Sequence, residues 1–159
     1  MRVRDATFED CDAIGAGMKV VVDEGRWLAT GEGTAEELGN RFRQAILQGD
    51  PLFVLEDRGE IVGALGLHET RALGVLSLGM WVLPSHRGRG GGRLLLEAAI
   101  EGRPPDVHKV ELEVWPENEA AIALYRKTGF EEEGLRRDHY RRGDGSLRSS
   151  LIMARLFAS

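Results

Sequence analysis

Hydrophobic residues change their spacing several times along the chain, and each change predicts an element. A short strand near Val3 gives way to a helix beginning around Thr7, with Phe8, Glu9 and Asp10 in its first turn. Thr34, with Glu37 three residues on, forms a capping box for a second helix, along which Leu38, Phe42, Ala45 and Ile46 return to one face. Leu52-Phe53-Val54-Leu55 and Ile61-Val62-Gly63-Ala64-Leu65 read as strands joined at Asp57-Arg58-Gly59. An apolar run over 75–83 stops at Pro84 and leads through a glycine-rich loop to a helix over 93–100. Val110-Glu111-Leu112-Glu113-Val114 alternates and predicts a strand. Pro116 follows, then Asn118 as the cap of an Ala-rich helix that Gly129 ends in the left-handed conformation. Two final strands, over 135–141 and 147–157, flank Gly143-Asp144-Gly145. Strands first, then strand–helix alternation, predict an α/β fold of the α+β kind, a mixed sheet covered by helices.

No repeat or low-complexity linker interrupts this pattern, so one domain over residues 1–159 is expected, long enough to bury roughly two-thirds of its unfolded surface. The net charge of -5 argues against general binding to nucleic acid or an anionic membrane, so a phosphate-rich ligand would need cations placed locally. Cys11 is the single cysteine, which rules out an intrachain disulfide and a thiolate metal cluster. His68, His86, His108 and His139 lack metal-ligand spacing, so no metal is expected. The first residues lack the apolar stretch of a signal peptide and no run is long enough to span a bilayer, which together predict a reducing, cytoplasmic setting.

The richest segment is 82–97, where a buried strand enters Arg87-Gly88-Arg89-Gly90-Gly91-Gly92 and a helix follows. Glycine accepts positive φ and lets the backbone approach a ligand, and the first N–H groups of a helix favour phosphate. Arg87, Arg89 and Arg93 add charge. A Walker loop would end in Gly-Lys-Ser/Thr, whereas this one ends Gly92-Arg93-Leu94. A dinucleotide fingerprint belongs after the first strand and needs its third glycine, which Arg93 replaces. An RNA-binding RGG segment would be repeated and disordered.

The loop and its surroundings resemble the GNAT superfamily of N-acetyltransferases, whose coenzyme A loop reads Arg/Gln-x-x-Gly-x-Gly/Ala after a strand ending Val-x-Pro, here Val82-Leu83-Pro84. A second block, Asn118-Glu119-Ala120-Ala121-Ile122-Ala123-Leu124-Tyr125-Arg126-Lys127-Thr128-Gly129-Phe130, is similar to the family's Asn-x-x-Ala-x-x-x-Tyr-x-Lys-x-Gly-Phe helix. The likeness runs from the first strand to Ile152-Met153-Ala154-Arg155-Leu156. It implies a mostly antiparallel sheet with helices on both faces, and acetyl transfer from acetyl-coenzyme A to a primary amine without a metal. It also implies that the backbone of Trp81 and Val82 pairs with the pantetheine arm, that Arg87, Gly88, Arg89, Gly90, Gly91 and Gly92 hold the pyrophosphate, and that Asn118 bonds the pantetheine or caps its helix. Dimers are common in the family.

For Tyr125 the resemblance implies a hydrogen bond or proton to the departing thiolate; on pattern alone it shares a face with Ala121, Leu124 and Thr128 and reads as a core tyrosine. Glu113 lies twelve residues earlier, the spacing of the base in ribosomal-protein alanine acetyltransferases, and reads equally as a solvated carboxylate beside Glu111. The other base position of the family falls on Leu76-Ser77-Leu78 and holds no carboxylate. His68, Glu69 and Trp27 are the expected acceptor-side residues; on pattern alone His68-Glu69 reads as a plain strand end, and Trp27 reads equally as a residue closing the core rim. The acceptor itself reads as a small amine such as an amino acid, or as a protein N-terminus. A coenzyme A-binding module without turnover is the third option.

Overall fold

The computed structural model describes residues 1–26 and 33–158. Its centre is a seven-stranded sheet in the order β1-β2-β3-β4-β5-β7-β6. The strands are β1 (Arg2–Asp5), β2 (Leu52–Asp57), β3 (Glu60–Glu69), β4 (Val75–Val82), β5 (Lys109–Val114), β6 (Glu131–Arg141) and β7 (Leu147–Leu156). Every neighbouring pair is antiparallel except β4 and β5. The helices are α1 (Cys11–Asp23), α2 (Ala35–Leu47), α3 (Gly91–Gly102) and α4 (Glu119–Lys127). Among the described residues no helix is long and apolar enough to cross a membrane.

Strand alternation divides the core into two layers. Ile14 and Val21 of α1 pack on Leu52, Val54, Ala64 and Trp81, with Phe42 and Ile46 of α2 against them. On the other face, Leu95, Leu96 and Ala99 of α3 and Ile122 and Tyr125 of α4 pack on Leu65, Leu76, Leu78, Leu112 and Met153. Helices therefore cover both faces of a mixed, mostly antiparallel sheet. α1 and α2 cross closely because each has a glycine at the contact: a Cβ on Gly15 would lie 2.5 Å from the Gly39 nitrogen.

Two helix starts depart from the pattern-based expectation, and β6 begins at Glu131, four residues before the expected 135. The first helix begins as a tight turn over Phe8–Asp10 and becomes α-helical at Cys11, not at Thr7. The Asp10 carboxylate draws that turn in, accepting from the Thr7 N–H at 2.7 Å and from Arg4 at 2.7 and 3.0 Å. The third helix starts at Gly91, inside the glycine run, because left-handed Gly90 (φ 86°) turns the chain directly into the first helical bond from Leu94. At α2 the expected capping box is present, Thr34 Oγ1 accepting from the Glu37 N–H at 3.1 Å and Glu37 accepting from the Thr34 N–H at 3.1 Å.

Candidate functional site

Parallel strands β4 and β5 are paired only at Val75–Lys109, Leu76–Val110 and Ser77–Glu111, and beyond that they part. The second half of β4 keeps β3 on one side and faces open space on the other. Which backbone groups face the gap follows from the β3 pairing. Leu83 donates its N–H to Val62 O at 2.9 Å, so in strict alternation Trp81, paired with Ala64, also turns its N–H and C=O to β3. The groups turned to the gap side are those of Met80 and Val82, the Val82 C=O already accepting from Arg87 Nε at 3.0 Å. This corrects the expectation for Trp81: its backbone is taken by β3. Its side chain is also on the wrong side, buried on the α1 face where a Cβ on Gly17 would lie 2.3 Å from the ring. Met80 takes its place, a residue that sequence reasoning missed because strand polarity toward a gap depends on the partner strand.

At the end of β4 the chain turns through Pro84–His86 into the glycine loop. The glycines there serve different ends. Gly88 and Gly90 carry φ of 72° and 86° with open space where a Cβ would stand. Gly91 seats α3 on the sheet, since a Cβ would come 2.4 Å from Leu55 Cδ2, and Gly92 lets α4 approach, with Leu124 Cδ2 at 2.9 Å. Asp57 anchors the loop by accepting from His86 Nε2 at 3.1 Å, with Arg89 at 3.8 Å. Arg87 makes a two-pronged ion pair with Glu24 at 2.9 and 2.6 Å and donates from Nε to Val82 O at 3.0 Å. That guanidinium lowers the Glu24 pKa from its ordinary value. Arg93 pairs with Glu97 one turn along α3 at 2.7 Å.

These pieces line one cleft of about 670 Å³, with Met80 and Val82 on one wall, Arg87, Gly88, Gly90, Gly91, Gly92 and Arg93 at one end, and Asn118, Ala121, Leu124 and Tyr125 opposite. Asn118 caps α4, its Oδ1 accepting from the Ala121 N–H at 3.3 Å. Tyr125 is 7% exposed and packs its ring at 5.9 Å from that of Phe130. Its hydroxyl has no hydrogen-bond partner among the described residues. Burial pushes its pKa up to about 12, so at neutral pH it is a proton-bearing donor facing the cleft.

Glu113 stands elsewhere. It alternates with Leu112 and Val114, which pack in the layer with Tyr125, so it projects from the opposite face of β5. There it pairs with Arg136 at 2.9 Å and accepts from Ser150 Oγ at 3.3 Å and from the Tyr140 hydroxyl. Tyr140 in turn lies edge-on to Trp115 at 5.4 Å, and burial together with Glu113 raises its pKa to about 12. Tyr140 is a second residue the sequence did not single out.

A smaller cavity of about 300 Å³ lies on the same face as Glu113, between β3, β4 and helices α1 and α2. His68 lines it, 46% exposed at its side chain and held by Asp50 at 3.1 Å. Glu69 does not: one residue further along β3, it turns to the other face. Trp27 lies outside the described residues. Met80 is the shared wall of this cavity and the larger cleft. Among the described residues no group of three or more His, Cys, Asp or Glu is placed to hold a metal ion.

The sequence model of the acetyltransferase (GNAT) family matches residues 21–130. An L-methionine sulfoximine/L-methionine sulfone acetyltransferase of Pseudomonas aeruginosa is 32% identical over 141 residues, 83% of this chain and 81% of that protein. The N-alpha-acetyltransferase RimI of Mycobacterium tuberculosis is 48% identical over 58 residues, so that the match spans 36% of this chain and only 35% of that relative. Among solved structures, the ribosomal-protein-alanine N-acetyltransferase of Brucella melitensis superposes with a TM-score of 0.83 at 29% identity, covering 99% of this chain and 100% of that one. The yncA structure of Salmonella typhimurium, which contains its cofactor acetyl-CoA, gives a TM-score of 0.90 at 21% identity over 100% and 95% of the two chains, a likeness of fold.

Proposed function

The chain belongs to the acetyltransferase (GNAT) family, and from that premise we propose that it moves the acetyl group of acetyl-coenzyme A to the primary amine of a small, amino acid-like acceptor, as a single domain. One observation carries the reading. Two separate stretches, the β4 edge with the glycine loop that follows it and the start of α4 from Asn118 to Tyr125, line one cleft whose wall at Met80 adjoins a second, smaller cavity.

The pyrophosphate would lie on the loop N–H groups and the positive end of α3, with Arg87 and Arg89 beside it. The pantetheine arm would pair with Met80 and Val82 as an added strand, and an N–H from that edge would steady the oxyanion formed on attack. The amine nitrogen attacks the thioester carbon, the C–S bond breaks, and the sulfur leaves as thiolate. Tyr125 faces that sulfur. With its pKa near 12 against about 8.5 for a thiol, complete proton transfer is uphill by about 5 kcal/mol, so donation of a hydrogen bond is its main work. Glu113, oriented by Arg136, Tyr140 and Ser150 on the opposite face, is the proposed acceptor of the ammonium proton.

The volume of about 300 Å³ supports a small acceptor, since it sits at the lower end of the roughly 300–1,000 Å³ of small-molecule sites. Release of free thiol from acetyl-coenzyme A across a panel of amines, amino acids and peptides tests the reading. Tight coenzyme A binding with no thiol released would replace it by a binding module, and turnover confined to peptides by N-terminal acetylation.

A further inference from the structure

Strands β3 and β4 set two glycines opposite each other, Gly66 and Gly79, in the middle of the sheet. Glycine weakens a strand interior, because it offers no side chain to pack and has more backbone freedom to lose. Neither residue has the positive φ that would require it. Nor does crowding require it at Gly79, where a Cβ would meet nothing within 4 Å. At Gly66 the closest atom to such a Cβ is His68 Nε2 at 3.1 Å, the end of a half-exposed side chain. A strand keeps such a bare pair where something else approaches its backbone.

The 300 Å³ cavity lies over that pair. Met18, Phe42 and Trp81 give it apolar walls, and Ser77 and His68 edge it. The Trp81 indole N–H is buried without a partner among the described residues. Arg41 supplies the cavity's charge. Two positions along α2, Arg43 is engaged by Asp12 and Asn40, whereas Arg41 makes no hydrogen bond or ion pair with any described residue. An unpaired guanidinium at the edge of an apolar pocket is suited to a carboxylate.

Resting on the acetyl-transfer reading, we infer that this cavity binds an amino acid with a free carboxylate and an apolar side chain. The carboxylate sits on Arg41, the side chain lies over Gly66 and Gly79 against Phe42 and Trp81, and the amine turns toward Met80, where the cavity meets the coenzyme A cleft. Gly79 then limits side-chain size and Arg41 selects the acid over its amide.

Thiol release from acetyl-coenzyme A is measured with L-leucine, L-leucinamide, L-alanine and a tetrapeptide beginning with leucine, for the wild type and for Arg41→Gln, Arg41→Lys and Gly79→Val. The wild type is expected to favour L-leucine over its amide by about tenfold or more in kcat/KM. Arg41→Gln brings that ratio close to one, and Arg41→Lys restores part of it. Gly79→Val lowers kcat/KM for L-leucine about tenfold more than for L-alanine. A wild type indifferent to the carboxylate, or a ratio untouched by Arg41→Gln, overturns the inference while leaving acetyl transfer standing. If the wild type acts on no amine at all, acetyl transfer itself fails and the cavity is judged by binding. L-Leucine raising the Tm of the wild type and not of Arg41→Gln then upholds it, and no rise overturns it.

Discussion

The two sides of strand β4 are walled by different means, and on the proposed reading they recognise differently. Toward α3 and α4 the cleft is walled by main chain: a strand edge released by β5, a loop whose Gly88 and Gly90 leave open space, and a helix start. Toward α1 and α2 the cavity is walled by side chains, Met18, Phe42 and Trp81 over the bare pair Gly66 and Gly79, with Arg41 at the edge. Backbone recognition suits a ligand that never changes, and it can be written as one contiguous stretch of sequence. Side-chain recognition suits a ligand that differs between relatives, and it is assembled from residues scattered between Met18 and Trp81. Met80 is where the two meet.

The largest expected effect breaks the cofactor side chemically. Tyr125→Phe removes a donor that has no hydrogen-bond partner among the described residues, and kcat should fall about 100-fold, with coenzyme A affinity by calorimetry changing less than about twofold. An equal loss in both would make the ring structural. Because the Tyr125 pKa is raised to about 12, the residue stays protonated through the whole working range. The wild-type kcat profile should therefore show no alkaline fall from this group below about pH 11.

Next comes a mechanical break of the same side. Gly91→Ala drives a Cβ to 2.4 Å from Leu55 Cδ2 in a fully buried setting, which should cost about 2–3 kcal/mol in denaturant unfolding. It should also weaken coenzyme A binding by moving the first turn of α3. Gly88→Ala meets open space and pays only for its left-handed φ of 72°, about 1–2 kcal/mol. If both cost the same, the close seat of α3 on the sheet is not what Gly91 is for.

Acid acts on the other layer. Arg4, then the Thr7 N–H and hydroxyl, hold the Asp10 pKa down to about 2, against burial acting the other way. A depressed carboxyl stabilises the fold above its unfolded pKa of about 4 and loses that contribution as pH falls from about 4 to 2. Asp10→Asn should therefore lower stability at pH 7 by about 2 kcal/mol and flatten the acid limb of the Tm profile over that window. An unchanged acid limb would mean the Arg4–Asp10 contact contributes little.

What the sequence disclosed follows the same division. The capping box at Thr34 and Glu37, the Asn118 cap, the Gly129 stop and the glycine loop were all legible, because each acts within a few residues of itself. Features that depend on a neighbouring strand were not. That Met80 and not Trp81 offers its backbone to the gap depends on how β4 pairs with β3. Glu113 and Tyr125 are twelve residues apart, yet they lie on opposite sides of the sheet because the pleat of β5 turns Glu113 away from the face that α4 covers. His68 and Glu69 look alike in sequence, and the pleat sends them apart. Arg41 carries no local sign at all, and its place shows only once α2 is laid over β3 and β4.

The smallest effect sharpens the comparison most. Thr34→Ala removes the side-chain acceptor of the Glu37 N–H at the start of α2, for a cost of about 1 kcal/mol. Neither Thr34 nor Glu37 lines the larger cleft proposed for coenzyme A, but α2 carries Arg41 and Phe42 to the smaller cavity proposed for the acceptor. Fraying its first turn loosens the segment that leads to both residues. Acceptor KM should rise about two- to fivefold, with coenzyme A affinity and kcat within error of the wild type. A matched rise in the coenzyme A dissociation constant would mean that the two sides of β4 are not separable, and that recognition of carrier and acceptor shares one support.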